Sequence, residues 1–214
     1  MTTSRPFIIF DFDNCLAPGN AVGENLLAPL FDELERLEKH HLSGEQFSAM
    51  KFDFWRKPLD KIASAYSFSE EAEQRSFDFF RQLELTGSMP GYEDTLFVNE
   101  MAGTKILVTS GFEKFQRSKI KGLGVEAAFS DMYFDDPGEP PRQGKGHYFA
   151  LACDKYGVDP KDVWVIGDSA ESEIAAGNAL GMKTVQILRA GVERHVSADY
   201  HVTGLHEFAK LAGA

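Results

Sequence analysis

This sequence predicts an α/β protein built on a doubly wound parallel sheet, with an all-helical segment inserted after the first strand. Three observations predict it. Short unbroken apolar runs at Phe7–Phe10, 106–108 and 163–166 read as strands buried on both faces. Helical patterns fall between such runs, so successive strands need crossover connections. Between about Glu24 and Met89 the alternation stops and only helical spacing remains.

The elements follow in chain order. Phe7–Phe10 is the first strand and runs straight into Asp11. Leu26, Leu27, Leu30, Phe31, Leu34 and Leu37 recur at helical spacing, which predicts about four turns, ended by Ser43-Gly44. A second helix passes through Phe47 and Met50. A third carries Phe77, Phe80 and Leu83, with Ser69 as N-cap and Glu70, Glu71 and Glu73 in its first turns. Residues 1–16 and 90–214 are assigned to the α/β core and 17–89 to the helical insertion. In the core, helices are predicted over 112–123, 148–156, 170–180 and 205–211. Further strands are predicted at 184–188 and, more weakly, at 131–134. The stretch 135–146, rich in Pro and Gly, reads as a loop.

Composition narrows the function. The 214 residues are 43% hydrophobic and 26% charged, an ordinary globular balance. A net charge of −11 argues against nucleic acid as the main partner, because a phosphate backbone selects surplus Lys and Arg. The two cysteines, Cys15 and Cys153, form no disulfide framework and favour a reducing, cytoplasmic compartment. The run Phe7–Phe10 is too short to span a membrane, and Asp11 and Asp13 follow too closely for a signal peptide. No membrane partner is expected.

Four places carry chemistry. Asp11 and Asp13 end the first strand, and extended backbone would point both to one side. Paired carboxylates repel, which favours a nucleophile or metal ligand at one and raises the pKa of the other. Capping of a turn is the plainer alternative. Thr109, followed by Ser110 and Gly111, combines a hydroxyl with a turn opening a helix, where free N–H groups bind anions; simple N-capping competes. Lys145 lies in the loop before the next helix. Its Gly144-Lys145-Gly146 context fails as a P-loop, since no Ser or Thr follows and no strand immediately precedes it. Asp168 ends another strand, with Glu173 in the following helix and Glu171 as a rival second acid. Oxygen-only ligands of this kind suit Mg²⁺.

In this order, Phe-Asp-Phe-Asp-Asn, Val-Thr-Ser-Gly, a loop Lys and Val-Ile-Gly-Asp-Ser with an acid five residues on resemble the haloacid dehalogenase superfamily of phosphohydrolases. Asp11 and Asp13 match its D-x-D, Thr109 its strand-end hydroxyl, Lys145 its lysine, and Asp168 with Glu173 its final acidic pair. The resemblance covers about 6–13 and 90–211. It implies a Rossmann-like core, with the insertion as a helical cap of the C1 type. Three departures are visible: Asn14-Cys15 stands where Gly-Thr is frequent, no Pro follows Lys145, and the second acid is Glu.

The resemblance also implies roles. Asp11 would attack phosphorus and Asp13 would move protons. Thr109, Ser110, Gly111 and Lys145 would hold the phosphoryl group. Asp11, Asp168 and the backbone carbonyl of Asp13 would bind Mg²⁺, with Glu173 acting through water. The expected activity is hydrolysis of a small phosphorylated metabolite. A phosphotransferase or mutase, or a family member that binds a phosphorylated ligand without turnover, would share these residues. A dehalogenase would need neither Asp13 nor Asp168. The insertion holds thirteen Asp/Glu against eight Lys/Arg over residues 24–90, which disfavours long polyanions. Trp55 with Arg56 is its densest basic-aromatic spot, and a buried Trp beside a solvated pair is the plainer reading.

Overall fold

A computed structural model of the chain describes residues 5–214. Six strands form one all-parallel sheet: β1 (Phe7–Phe10), β2 (Thr104–Ser110), β3 (Asp131–Asp135), β4 (Val163–Gly167), β5 (Lys183–Ile187) and β6 (Tyr200–Val202). Their spatial order is β3-β2-β1-β4-β5-β6. The two outward progressions from β1 define the double winding, and the crevice between β1 and its neighbours is where such sheets bind ligands.

The apolar runs are continuous because both faces are covered. Ile8, Phe10, Leu107 and Ile166 face one apolar cluster. Phe7, Ile9, Ile106, Val108, Val163 and Val165 face the other. The period of two within each strand divides them. The helices that cover the sheet are α5 (Glu113–Leu123), α6 (Lys145–Tyr156), α7 (Ala175–Ala179), entered through a π-helical turn at Ala170–Ile174, and α8 (Leu205–Ala212).

Four helices lie between β1 and β2: α1 (Ala28–Glu38), α2 (Gly44–Asp53), α3 (Leu59–Ala65) and α4 (Glu70–Gln82). They enclose a separate apolar cluster that includes Leu30, Leu34, Met50, Ile62 and Phe80, and Phe112 and Phe115 of the α5 region join it. Phe80 stacks on Phe112 with ring centroids 5.4 Å apart. The insertion is thereby seated on the segment that follows β2.

Several local expectations change. α1 ends at Glu38, and Ser43 starts the next helix instead of ending the first. Its hydroxyl accepts from the backbone N–H of Gln46, while the Gln46 side chain accepts from the N–H of Ser43, a reciprocal cap. Ser69 caps α4 as expected, and the buried Glu38 carboxylate accepts from both its N–H and its hydroxyl. α3 and β6 are too short to leave a periodic pattern in the sequence. α6 begins a turn early, so Lys145 is its first residue and not a loop residue.

One ion pair ties the ends of the chain's core together. Arg189 donates to both carboxylate oxygens of Asp94, at 3.1 and 2.8 Å, and to the carbonyl of Cys15 at 3.1 Å. Asp94 also accepts from the N–H of Leu205, capping α8 across space, since Gly204 has no side chain to do so. Burial works against the Asp94 carboxylate, but hydrogen bonds from Arg189 and Leu205 outweigh it and hold its pKa below 3.8. A depressed folded-state pKa contributes stability above the unfolded value, lost as pH falls through the folded one. Asp94→Asn should cost about 1.5–3 kcal/mol at pH 7, the range for hydrogen bonds to charged groups. The gap to wild type should narrow below about pH 4, near the unfolded Asp pKa, in urea midpoints taken across pH. A gap independent of pH would contradict this account.

Candidate active site

At the carboxyl end of the sheet, β1, β2, β3 and β4 open toward the inserted helices around a cavity of about 1120 Å³. Asp11 leaves β1 still in register, its N–H donating to the carbonyl of Ile166 at 2.9 Å. The chain then turns sharply. The carbonyl of Phe12 accepts from the N–H groups of Cys15, Leu16 and Ala17. Asn14 takes a left-handed φ of 58° at this turn. Asn tolerates that conformation and its side chain accepts from the N–H of Gly19 at 3.0 Å. The departure from glycine at this position is therefore accommodated by the backbone.

Asp11, Asp168 and Glu173 offer carboxylate oxygens that all lie within 4.8 Å of one another. The buried Lys145 donates to Asp11 at 2.5 Å and forms a second, shorter contact with Glu173. Glu173 is almost wholly buried and also accepts from the N–H of Ser169 at 3.1 Å. Glu171 is exposed at the cavity wall, outside the cluster. Asp168 is oriented from behind, its carbonyl accepting from the Gln186 side chain at 3.0 Å.

The electrostatics follow from this crowding. Burial, then the Glu173 charge, pushes the Asp11 carboxyl well above 3.8, against the pull of Lys145. The same causes raise Asp168 to about 7. Burial pulls the Lys145 pKa down, but the charges of Asp11 and Glu173 and the hydrogen bonds to them outweigh it and raise it, holding the ammonium. Three carboxylates share a single lysine, leaving two negative charges in excess when all are ionised. Hard oxygen donors with that charge surplus fit a divalent cation such as Mg²⁺. Asp11, Asp168 and Glu173 would hold it.

Asp13 stands apart. Its carboxylate lies outside the cluster and is held by Lys119, at 2.6 and 2.8 Å, and by Gln116 at 2.9 Å. The buried Thr109 hydroxyl accepts from the same Gln116 amide at 2.6 Å. Ser110 donates its hydroxyl to Asp135 at 3.1 Å, and the N–H of Gly111 donates to the carbonyl of Asp135 at 3.2 Å. The N–H of Glu113 is taken by Asp136. The open helix start expected after Thr109 is thus partly satisfied from within.

Lys119, Gln116, Asp135 and Arg142 are site residues that none of the sequence motifs marks. Gln116 and Lys119 left a signal: they sit in the stripe that also holds Phe115, Ile120 and Leu123, where polar groups are buried at a cost unless partnered. Arg142 bridges two parts of the fold, pairing with Asp135 at the end of β3 and with Asp60 of α3. Trp55 meets Phe31 edge-to-face, and Arg56 donates to the carbonyl of Gly191 at 3.2 Å. Both line the cavity.

A haloacid dehalogenase-like hydrolase family pattern matches residues 7–181. The chain belongs to that family. Phosphoglycolate phosphatase of Haemophilus influenzae is 24% identical over 197 residues, 86% of this chain and 86% of that protein. Glyceraldehyde 3-phosphate phosphatase of Methanocaldococcus jannaschii is 27% identical over 55% of this chain and 53% of its own length. Sugar-phosphatase AraL of Bacillus subtilis is 35% identical, but the match spans only 24% of that protein. The fold agrees with SP0104 of Streptococcus pneumoniae, a haloacid dehalogenase-like family protein (TM-score 0.71, 16% identity, 99% and 100% covered). It agrees also with a phosphatase of Thermococcus onnurineus (TM-score 0.67, 22% identity, 97% and 98% covered).

Gly167 makes room for Glu173. A methyl group added there would stand 2.6 Å from Glu173 Cγ and 2.7 Å from its Oε2. Gly167→Ala should therefore expel Glu173 from the cluster and destabilise the fold by about 1–3 kcal/mol, the usual cost of overpacking. Thermal unfolding checks it, and an unchanged melting temperature would show that Glu173 is not confined as described.

Proposed function

We propose that this chain is a Mg²⁺-dependent phosphatase that hydrolyses a small phosphorylated metabolite through an aspartyl-phosphate on Asp11. The observation that carries the reading is the buried Asp11 carboxylate, tethered by Lys145 beside two further acids, at the end of the central strand. The phosphatase names of the curated relatives support it. So does the cavity between sheet and helices, which suits a small substrate. The two unpaired, buried cysteines accord with a reducing, cytoplasmic setting.

A bound divalent cation would neutralise charge shared by the phosphoryl oxygens and the carboxylates. The chain's residues do the rest. Asp11 attacks phosphorus as the bond to the leaving oxygen breaks, and Asp13 supplies that oxygen with a proton. Water then attacks the aspartyl-phosphate, Asp13 takes a proton from it, and the Asp11 carboxylate is released. The Thr109 hydroxyl and Lys145 bind phosphoryl oxygens, with Ser110 and Gly111 shaping the turn beside them. The inserted helices exclude water and contact the leaving group, and Trp55 and Arg56 lie where they would do so.

Three measurements test this. Chelation should abolish phosphate release from a generic aryl phosphate, Mg²⁺ should restore it, and Asp168→Asn should raise the Mg²⁺ requirement. Activity that survives excess chelator would refute the metal role. Asp11→Asn should remove turnover and covalent labelling together. Asp13→Asn should slow both half-reactions by roughly 10²–10⁴-fold and, with a good leaving group, accumulate a hydroxylamine-sensitive phosphoenzyme. An active Asp11→Asn protein with no such intermediate would point to direct attack by water.

A further inference from the structure

We propose that Lys119 and Gln116 are the positioning residues of Asp13, forming a clamp on α5 that fixes its carboxylate for proton transfer to and from the substrate oxygen. The proposal rests on the reading of Asp13 as the proton-moving group. It extends that reading to two residues outside the family pattern described above.

The clamp is built from one helix face. Gln116 and Lys119 are three residues apart on α5, so their side chains leave the same side of the helix. That side is otherwise apolar and buried. The Lys119 side chain is only 5% exposed and passes between the rings of Phe12 and Phe115, its ammonium 5.3 and 5.1 Å from their centroids. Taking an ammonium out of water into such a setting is costly unless an anion meets it. Among the described residues the anion is Asp13, engaged through both carboxylate oxygens. A lysine serving only to fill the stripe could be replaced by an apolar side chain of the same length, and no carboxylate would have to face it.

Gln116 adds direction. Its amide nitrogen reaches Asp13 Oδ2, the Thr109 hydroxyl and the carbonyl of Ser110, at 2.9, 2.6 and 3.2 Å. It therefore ties the end of β2 to the turn after β1. The lack of a side chain at Gly111 leaves room for it, since a methyl group there would stand 3.1 Å from Gln116 Cγ and Cδ. Asp13 is held but not sealed, because its side chain remains 27% exposed on the cavity side.

A second lysine is needed because the first is spent. Lys145 is bonded to Asp11 and Glu173, while Asp13 lies outside that cluster and is met by Lys119 instead. Without Lys119, the Asp13 carboxylate would keep only its bond from Gln116 and lose the two that fix its direction toward the leaving oxygen.

The test is leaving-group dependence. Wild type, Lys119→Met, Lys119→Arg and Gln116→Leu are assayed with Mg²⁺ on aryl phosphates whose phenols range from strongly to weakly acidic. Each variant is also made in an Asp13→Asn background. A misplaced proton donor hurts poor leaving groups most. Lys119→Met should lose at least about tenfold more kcat on the poorest leaving group than on the best, within the 10²–10⁴ worth of positioned acid catalysis. KM should change little. Gln116→Leu should do the same more weakly, and Lys119→Arg should recover part of the loss. In the Asp13→Asn background, Lys119→Met should leave the leaving-group slope unaltered, the non-additivity expected of groups acting as one unit.

An equal loss on every ester, or the same added loss with Asp13 already removed, would overturn the clamp and leave the phosphatase reading standing. A wild-type protein that hydrolyses none of the esters would overturn both. Should Lys119→Met fail to fold, the Gln116→Leu and Lys119→Arg slopes decide, and slopes equal to wild type in both would overturn the proposal.

Discussion

Everything at the working end of this protein depends on burying an ammonium among carboxylates. Lys145 is enclosed with Asp11 and Glu173, and neither the acids nor the lysine would tolerate that depth alone. The double winding of the sheet makes the meeting possible. β1 and β4 are neighbours in space though far apart in sequence, so Asp11 and Asp168 leave adjacent strands side by side. α6 then delivers Lys145 from its first turn, and the turn before α7 delivers Glu173. Asp11 comes from the connection after β1, Asp168 and Glu173 from the one after β4, and the charge surplus where they meet is what suits the site to a divalent cation.

Much of this was legible because burial on two faces leaves a plain mark. β1, β2 and β4 are unbroken apolar runs ending in Asp11, Thr109 and Asp168, so strand and site residue announced each other. The weak signal at β3 had a physical reason: three of its five side chains are only partly buried. β6 is three residues long at the sheet edge, with an exposed Tyr200 and a half-buried His201, too short to show a period. α3 is a seven-residue helix entered through Pro58, shorter than the window in which helical spacing can be counted. Ser43 misled because Ser-Gly punctuates both ends of helices, and only its reciprocal bonds with Gln46 settle which end it marks.

The site residues that escaped detection share a different cause. Lys119, Gln116, Asp135 and Arg142 act on neighbours brought close only by the fold. Asp135 accepts from Ser110, Arg142 and the N–H of Gly144, contacts spanning several connections. Arg142 joins this acid to Asp60, so the inserted helices are linked to the core beside the Thr109 turn. No local pattern encodes such a bridge; a lone Arg in a Pro/Gly-rich loop looks like any solvated charge.

The π-helical turn between β4 and α7 changes how distance along the chain should be counted in this protein. Its closing bond runs from the N–H of Ile174 to the carbonyl of Ser169, five residues back instead of four. One residue is looped into the helix, and everything beyond it is rotated by about a third of a turn. Glu173 reaches the cluster five positions after Asp168 because of that extra residue, while Glu171 is turned outward. Spacing and spatial position are uncoupled here. A count of four from Asp168, one regular helical turn, lands on Ser172, whereas the fifth position is Glu173, the glutamate that enters the cluster.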